Sequence, residues 1–256
     1  MKHIKLFRIS LSTAVIVFLL IGVKIILHQK GLEFFSVNTL FSSAIAGAVF
    51  IIGFLLSGII TDYKEAEKIP AEFRSSLENI WEEGKFFNRD KKQFRLITLK
   101  TNLLSIIDTF FKGVGHEGDH FKLEPCVISI NTLSESFAEM EKLGMPPNYV
   151  VRLESEQASL RKSVLRVLHI QRTQFLPSAH ILAESLAFGV VFLLLFLKTE
   201  GSPESVFLFG FIAYLFLYIR HLIRTIEKPF RQDDSTMDDV SLYLLHEFRN
   251  KLVKTN

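Results

Sequence analysis

The chain has 256 residues, of which 48% are hydrophobic and 25 are phenylalanine, and its net charge is only +3. So small a charge excludes general electrostatic docking on nucleic acid. A single cysteine, Cys126, excludes an internal disulfide and gives no zinc pattern. The apolar residues gather in blocks, the distribution of a membrane protein.

The first block, Ile9 to Leu27, follows the basic start MKHIKLFR. It is long for the apolar part of a signal peptide, and no A-x-A cleavage site follows, so a retained helix is predicted. Lys24, near its far end, is expected to snorkel to the interface. The second block, Leu40 to Thr61, is long enough at about 1.5 Å per residue to cross a hydrocarbon core about 30 Å thick. Within it Ser43 and Gly47, like Gly53 and Ser57, are small residues at a spacing that lets helices approach closely. Phe50 and Phe54 fall on one face. That face reads either as lipid- or core-facing phenylalanine or as a hydrophobic constriction in a pore.

Residues 62–178 read as amphipathic helices of balanced charge, without a strand pattern. A break is predicted at Pro70, the apolar face resuming at Phe73, Leu77, Ile80 and Trp81. Asp62, Lys64 and Lys68 stand where the second helix leaves the membrane, as solvated helix-end charges or as selectivity residues. The loop VGHEGDHF gathers His116, Glu117, Asp119 and His120, a transition-metal set only if something fixes their spacing.

The third block, Ile181 to Leu197, and the fourth, Val206 to Leu222, form a second hairpin. His180 and Glu184 are one turn apart at its start. They read as a structural pair or as polar lining of a pathway, because a carboxylate at this depth faces protein or water. The stretch EKPFRQDDSTMDDVSLYLLHEF then places Asp233, Asp234, Asp238 and Asp239 after a Pro-Phe turn. Thr236 as N-cap with Asp239 at the third helical position would start a tail helix. The alternatives are a calcium site, which needs six to eight oxygens, and salt bridges to Arg224 or Arg231.

Basic residues lie mainly before the first helix, after the second, before the third and after the fourth, which puts both termini and the middle region in the cytoplasm. The expected organisation is 1–61 for the first hairpin, 62–178 for a cytoplasmic helical region, 179–223 for the second hairpin and 224–256 for the tail. No P-loop, G-x-S-x-G, H-E-x-x-H or G-x-G-x-x-G element is present, so no enzyme is predicted.

The segment FIIGF at Phe50–Phe54 resembles the F-V-L-G-F neck motif of bestrophin anion channels. YKEAEKIPAEF resembles the stretch by which that family leaves the membrane, RTQFLPSAH the approach to its third helix, and EKPFRQDD its Asn-Pro-Phe-Gly-acidic segment. The tandem tryptophans found after the neck in animal bestrophins are replaced by TDYKE. Lys228 and Arg231 stand where the asparagine and glycine flank Pro-Phe, and Ser235, Thr236 and Met237 split the acidic run. The chain looks like a divergent, bacterial-type member. The resemblance implies an all-α integral membrane protein of the bacterial inner membrane, four transmembrane helices with a cytoplasmic bundle. It also implies a homo-oligomer, a pentamer, that passes inorganic anions such as chloride. Phe50 and Phe54 would form the neck, with Ala46 one turn above. Asp62, Lys64, Lys68, Glu184 and His180 would be polar pathway residues. Calcium at Asp233, Asp234, Asp238 and Asp239 is the one cofactor it suggests. A non-conducting membrane scaffold or sensor, its cytoplasmic helices binding a partner, is the alternative.

Overall fold

The computed structural model describes residues 8–114, 122–172, 177–230 and 239–255. Among the described residues the regular elements are helices, with one isolated β-bridge between Phe35 and Leu197. The helices are α1 (Arg8–Gln29), α2 (Thr39–Asp90), α3 (Leu96–Gly113), α4 (Glu124–Asn131), α5 (Leu133–Lys142), α6 (Pro147–Arg172), α7 (Pro177–Leu195), α8 (Pro203–Ile226) and α9 (Tyr243–Lys254). Four of them, α1, α2, α7 and α8, are long and apolar enough to cross a membrane. The chain is an all-α, multi-pass membrane protein.

The chain divides into two compact units. The membrane unit takes the described residues up to Tyr63 and those from Pro177 to Lys228. Helix α8 packs on both α1 and α7. Its Gly210 lets α1 come close: a Cβ there would lie 2.8 Å from Ile21 Cδ1. Ser10 and Tyr214 share a 2.9 Å hydrogen bond across the same pair. Val17, Ala48, Ile52, Ile59, Ala187 and Ala213 are among the buried residues of this unit. Ser202 caps α8, its hydroxyl accepting from the Ser205 amide at 3.3 Å. Gly31 and Gly201 take positive φ in the two hairpin connections.

The second unit is built from the rest of α2 with α3, α4, α5, α6 and α9. Its core holds Phe73, Leu77, Ile80 and Trp81 of α2, with Leu103, Ile106 and Phe110 of α3 and Leu160 and Val164 of α6. Phe73 and Phe110 stack with centroids 4.5 Å apart. Cys126 is buried among them, and burial pushes its thiol up to about 12. Helix α9 is fastened by Arg249–Asp108 at 2.6 Å, Lys251–Glu78 at 2.6 Å and Lys100 Nζ donating to the Thr255 carbonyl at 2.6 Å.

Three expectations are corrected. The chain does not break at Pro70: α2 is one helix of 52 residues with Pro70 inside it. Proline removes one ladder hydrogen bond, at a cost of about 3 kcal/mol. Here Ala66, Ile69, Pro70 and Phe73 are all buried, so the packed face runs through the proline and offsets that loss. The tail helix starts at Tyr243, with Leu242 at its N-cap and no side-chain cap, so Asp239 lies outside it. Lys24 does not reach water: it is 1% exposed.

Candidate pore-facing helix and its polar flanks

Helix α2 has two faces in the membrane unit. Taking about 100° per residue, Ser43, Gly47, Phe50, Phe54, Ser57 and Thr61 fall within roughly 40° of one line along the helix. All six are exposed, Phe50 at 75% and Phe54 at 73%. Ala46, also exposed, lies about 60° to one side of this line. The buried residues Ala48, Ile52 and Ile59 lie about 140–180° around the helix from it. One side of α2 therefore packs on the protomer's own helices and the other carries two uncovered phenylalanines among small residues. A Cβ added at Gly47 or Gly53 would meet nothing within 4 Å. The small residues of this stripe thus serve no packing within one copy.

The helix continues past Thr61, and Asp62, Lys64 and Lys68 are exposed. By the same spacing Asp62 falls about 100° from the phenylalanine line. The aspartate leaves the stripe, and the two lysines belong to the second unit.

His180 and Glu184 are brought together, with His180 Nε2 3.4 Å from Glu184 Oε1. Two guanidiniums of α8 join them. Arg224 pairs with Glu184 at close range, and Arg220 stands 3.5 Å away. His180 Nδ1 lies 3.2 Å from Glu227, so the imidazole sits between two carboxylates. Arg220 also lies over the Phe188 ring, 4.7 Å from its centroid. Glu184 is thereby committed to a network within its own unit. The carboxylate satisfies the requirement for a partner at membrane depth through α8.

A second polar cluster joins the two hairpin connections, and sequence reasoning missed it. Lys24 Nζ donates to the carbonyls of Leu195, at 3.1 Å, and Leu197. It also pairs with Glu33 Oε1 at 2.6 Å. Glu33 accepts from the Thr199 amide at 3.1 Å and the Thr199 hydroxyl at 3.2 Å, and contacts His28 Nδ1 at 3.0 Å. Burial acts to raise the Glu33 carboxyl, but the hydrogen bonds from Lys24, His28 and Thr199, with the lysine charge, bring it down to about 2. Backbone bonds from Phe34 and Phe35 to Phe196, and from Lys198 to Phe35 at 2.7 Å, complete the join. The available signal was the spacing: Lys24 and His28 share a helix face, and Glu33 follows the Gly31 turn.

Of the acidic run, Asp233, Asp234 and Asp238 lie outside the described residues, as do His116, Glu117, Asp119, His120 and Thr236. Asp239 precedes Val240, whose amide donates to the Pro229 carbonyl at 2.8 Å. Among the described residues no three His, Cys, Asp or Glu side chains are grouped to hold a metal ion.

No protein-family model and no curated protein matches the chain. Solved structures do. A crystal structure of a bacterial bestrophin homolog from Klebsiella pneumoniae, carrying a single substitution, matches with a TM-score of 0.77 at 14% identity, over 96% of this chain and 98% of that one. A second variant of it gives 0.74 at 14% identity, over 95% and 97%. A crystal structure described as a membrane protein gives 0.78 at 14% identity, over 97% and 98%. The chain therefore has a bestrophin-like fold.

Proposed function

We propose that the protein is an ion channel of bestrophin-like build, with α2 lining the pore and anions as the permeant ions. The observation that carries this reading is the uncovered Phe50 and Phe54 face, opposite the packed face of the same helix. Within one copy the membrane helices pack on one another, so a pore needs several copies around an axis. Five is the number the bestrophin likeness supplies. In such a ring the phenylalanines form a narrow apolar neck that passes ions only with loss of part of their hydration. Aromatic rings carry a positive edge, which an anion tolerates better than a cation does. Lys64, exposed about 15 Å along α2 from Phe54, would add positive charge beyond the end of the neck. The protein would sit in a bacterial inner membrane with both termini cytoplasmic, as the distribution of basic residues supports.

Ion flux from liposomes tests this reading, with chloride and potassium gradients imposed separately and Phe50→Ala/Phe54→Ala alongside. Flux that depends on the protein, prefers chloride and rises in the double variant is the expected result. Absence of flux from both proteins, with assembly verified by light scattering, would return the protein to the scaffold or sensor reading.

A further inference from the structure

The second unit holds a polar groove of about 830 Å³ between α2 and α6. Side-chain bridges across the two antiparallel helices set its ends. Arg166 pairs with Glu65 at one end, and Asn79 donates to Glu156 at 2.8 Å at the other. Between Glu65 and Asn79 α2 runs about 21 Å. The groove's volume is that of a small-molecule site.

The charges between the two bridges are not used by the fold. Lys68 and Glu72 on α2 and Lys162 on α6 line the groove and make no ion pair among the described residues. The hydroxyls of Ser75, Ser76 and Ser163 line it beside them. Ser76 and Ser163 are themselves buried, so they place hydroxyls at the floor. The uncommitted set is thus two ammonium groups and one carboxylate, on facing helices, over a floor of donors and acceptors. Its complement is a small molecule with two carboxylates and one ammonium.

We infer that this groove binds an acidic amino acid, its carboxylates on Lys68 and Lys162 and its ammonium on Glu72. A ligand there would tie α2 to α6 in the stretch where no bridge joins them. The inference goes beyond ion conduction and stands or falls separately from it.

The test is calorimetric titration of the full-length protein in detergent with L-glutamate, and with glutarate, which keeps both carboxylates and lacks the ammonium. Saturable binding of L-glutamate, tighter than that of glutarate, is expected. Lys68→Gln and Lys162→Gln should each weaken it at least tenfold, and Lys→Arg at either position should keep most of it. Glu72→Gln should abolish the preference for L-glutamate over glutarate. The assignment is overturned by absence of saturable binding at millimolar L-glutamate, or by equal binding in the native and glutamine variants. A Lys162→Glu protein that loses its oligomeric state, when the native protein takes no L-glutamate, would show the groove to be a contact between copies. Chloride flux without L-glutamate binding would sink the groove and leave the channel reading intact; binding without flux would do the reverse.

Discussion

Lys24 Nζ stands 2.6 Å from Glu33 Oε1, and both side chains are buried. The pair fixes the connection after α1 to the connection after α7, because the same lysine also donates to the Leu195 and Leu197 carbonyls. A buried ion pair is tolerable only when its remaining donors and acceptors are satisfied. Here four backbone or hydroxyl groups and an imidazole do that.

Removing one partner leaves the other charge buried. Lys24→Met and Glu33→Leu should each cost about 3–5 kcal/mol, and the two together should recover much of that loss. Thermal unfolding of the four proteins in one detergent checks the ordering. A double variant as unstable as the sum of the singles would refute the pairing.

The same pair predicts acid sensitivity. The Glu33 carboxyl is near 2 in the folded protein against 4.5 for an ordinary glutamate. A depressed carboxyl stabilises the fold fully above about pH 4.5, and this contribution is lost as pH falls toward 2, where the native state too takes up the proton. The melting temperature of the native protein should therefore drop below pH 4.5. Glu33→Gln, lower throughout, should show a smaller drop over that range.

Phe50 and Phe54 should matter little to the stability of a single copy. Their rings are uncovered, so Phe50→Ala/Phe54→Ala should change it by less than about 0.5 kcal/mol. Ile52, between them in sequence but 3% exposed, should cost about 2–5 kcal/mol as Ile52→Ala through the cavity left behind. Unfolding in monomerising detergent measures both. A large loss in the phenylalanine variant would mean that this face is packed within the protomer.

Gly113 closes α3 against the start of α4. A Cβ there would lie 2.6 Å from the Lys122 carbonyl oxygen and 2.6 Å from Leu123 Cδ2. Backbone cannot rotate away, so Gly113→Ala should destabilise by about 1–3 kcal/mol. Gly84→Ala meets chiefly the end of the Leu99 side chain and should cost less. Denaturant unfolding ranks the two; equal midpoints would mean that the α3–α4 approach is looser than the structure has it.

What the sequence determined by itself was what depends on local transfer energy and on the periodicity of apolar residues. Blocks from Ile9, Leu40, Ile181 and Val206 mark membrane helices, because apolar runs of about 17–25 residues match the thickness of the hydrocarbon. The 3.6-residue period of Phe73, Leu77, Ile80 and Trp81 marks a packed helix face. Short motifs around Phe50–Phe54 and Pro229–Phe230 pointed to the fold that the solved structures then matched. Tertiary structure decided what depends on partners distant in sequence. Lys24 reads as a snorkelling lysine until α7 brings two carbonyls and Thr199 beside its glutamate. Pro70 reads as a break until the core beneath Ile69 and Phe73 outweighs one lost hydrogen bond. Asp239 reads as the third residue of the tail helix, yet α9 starts at Tyr243, where Leu245, Phe248 and Leu252 become buried. Phe50 and Phe54 read as lipid- or core-facing rings or as a constriction, because periodicity fixes that they share a face and only the packing of Ala48, Ile52 and Ile59 decides which way it points.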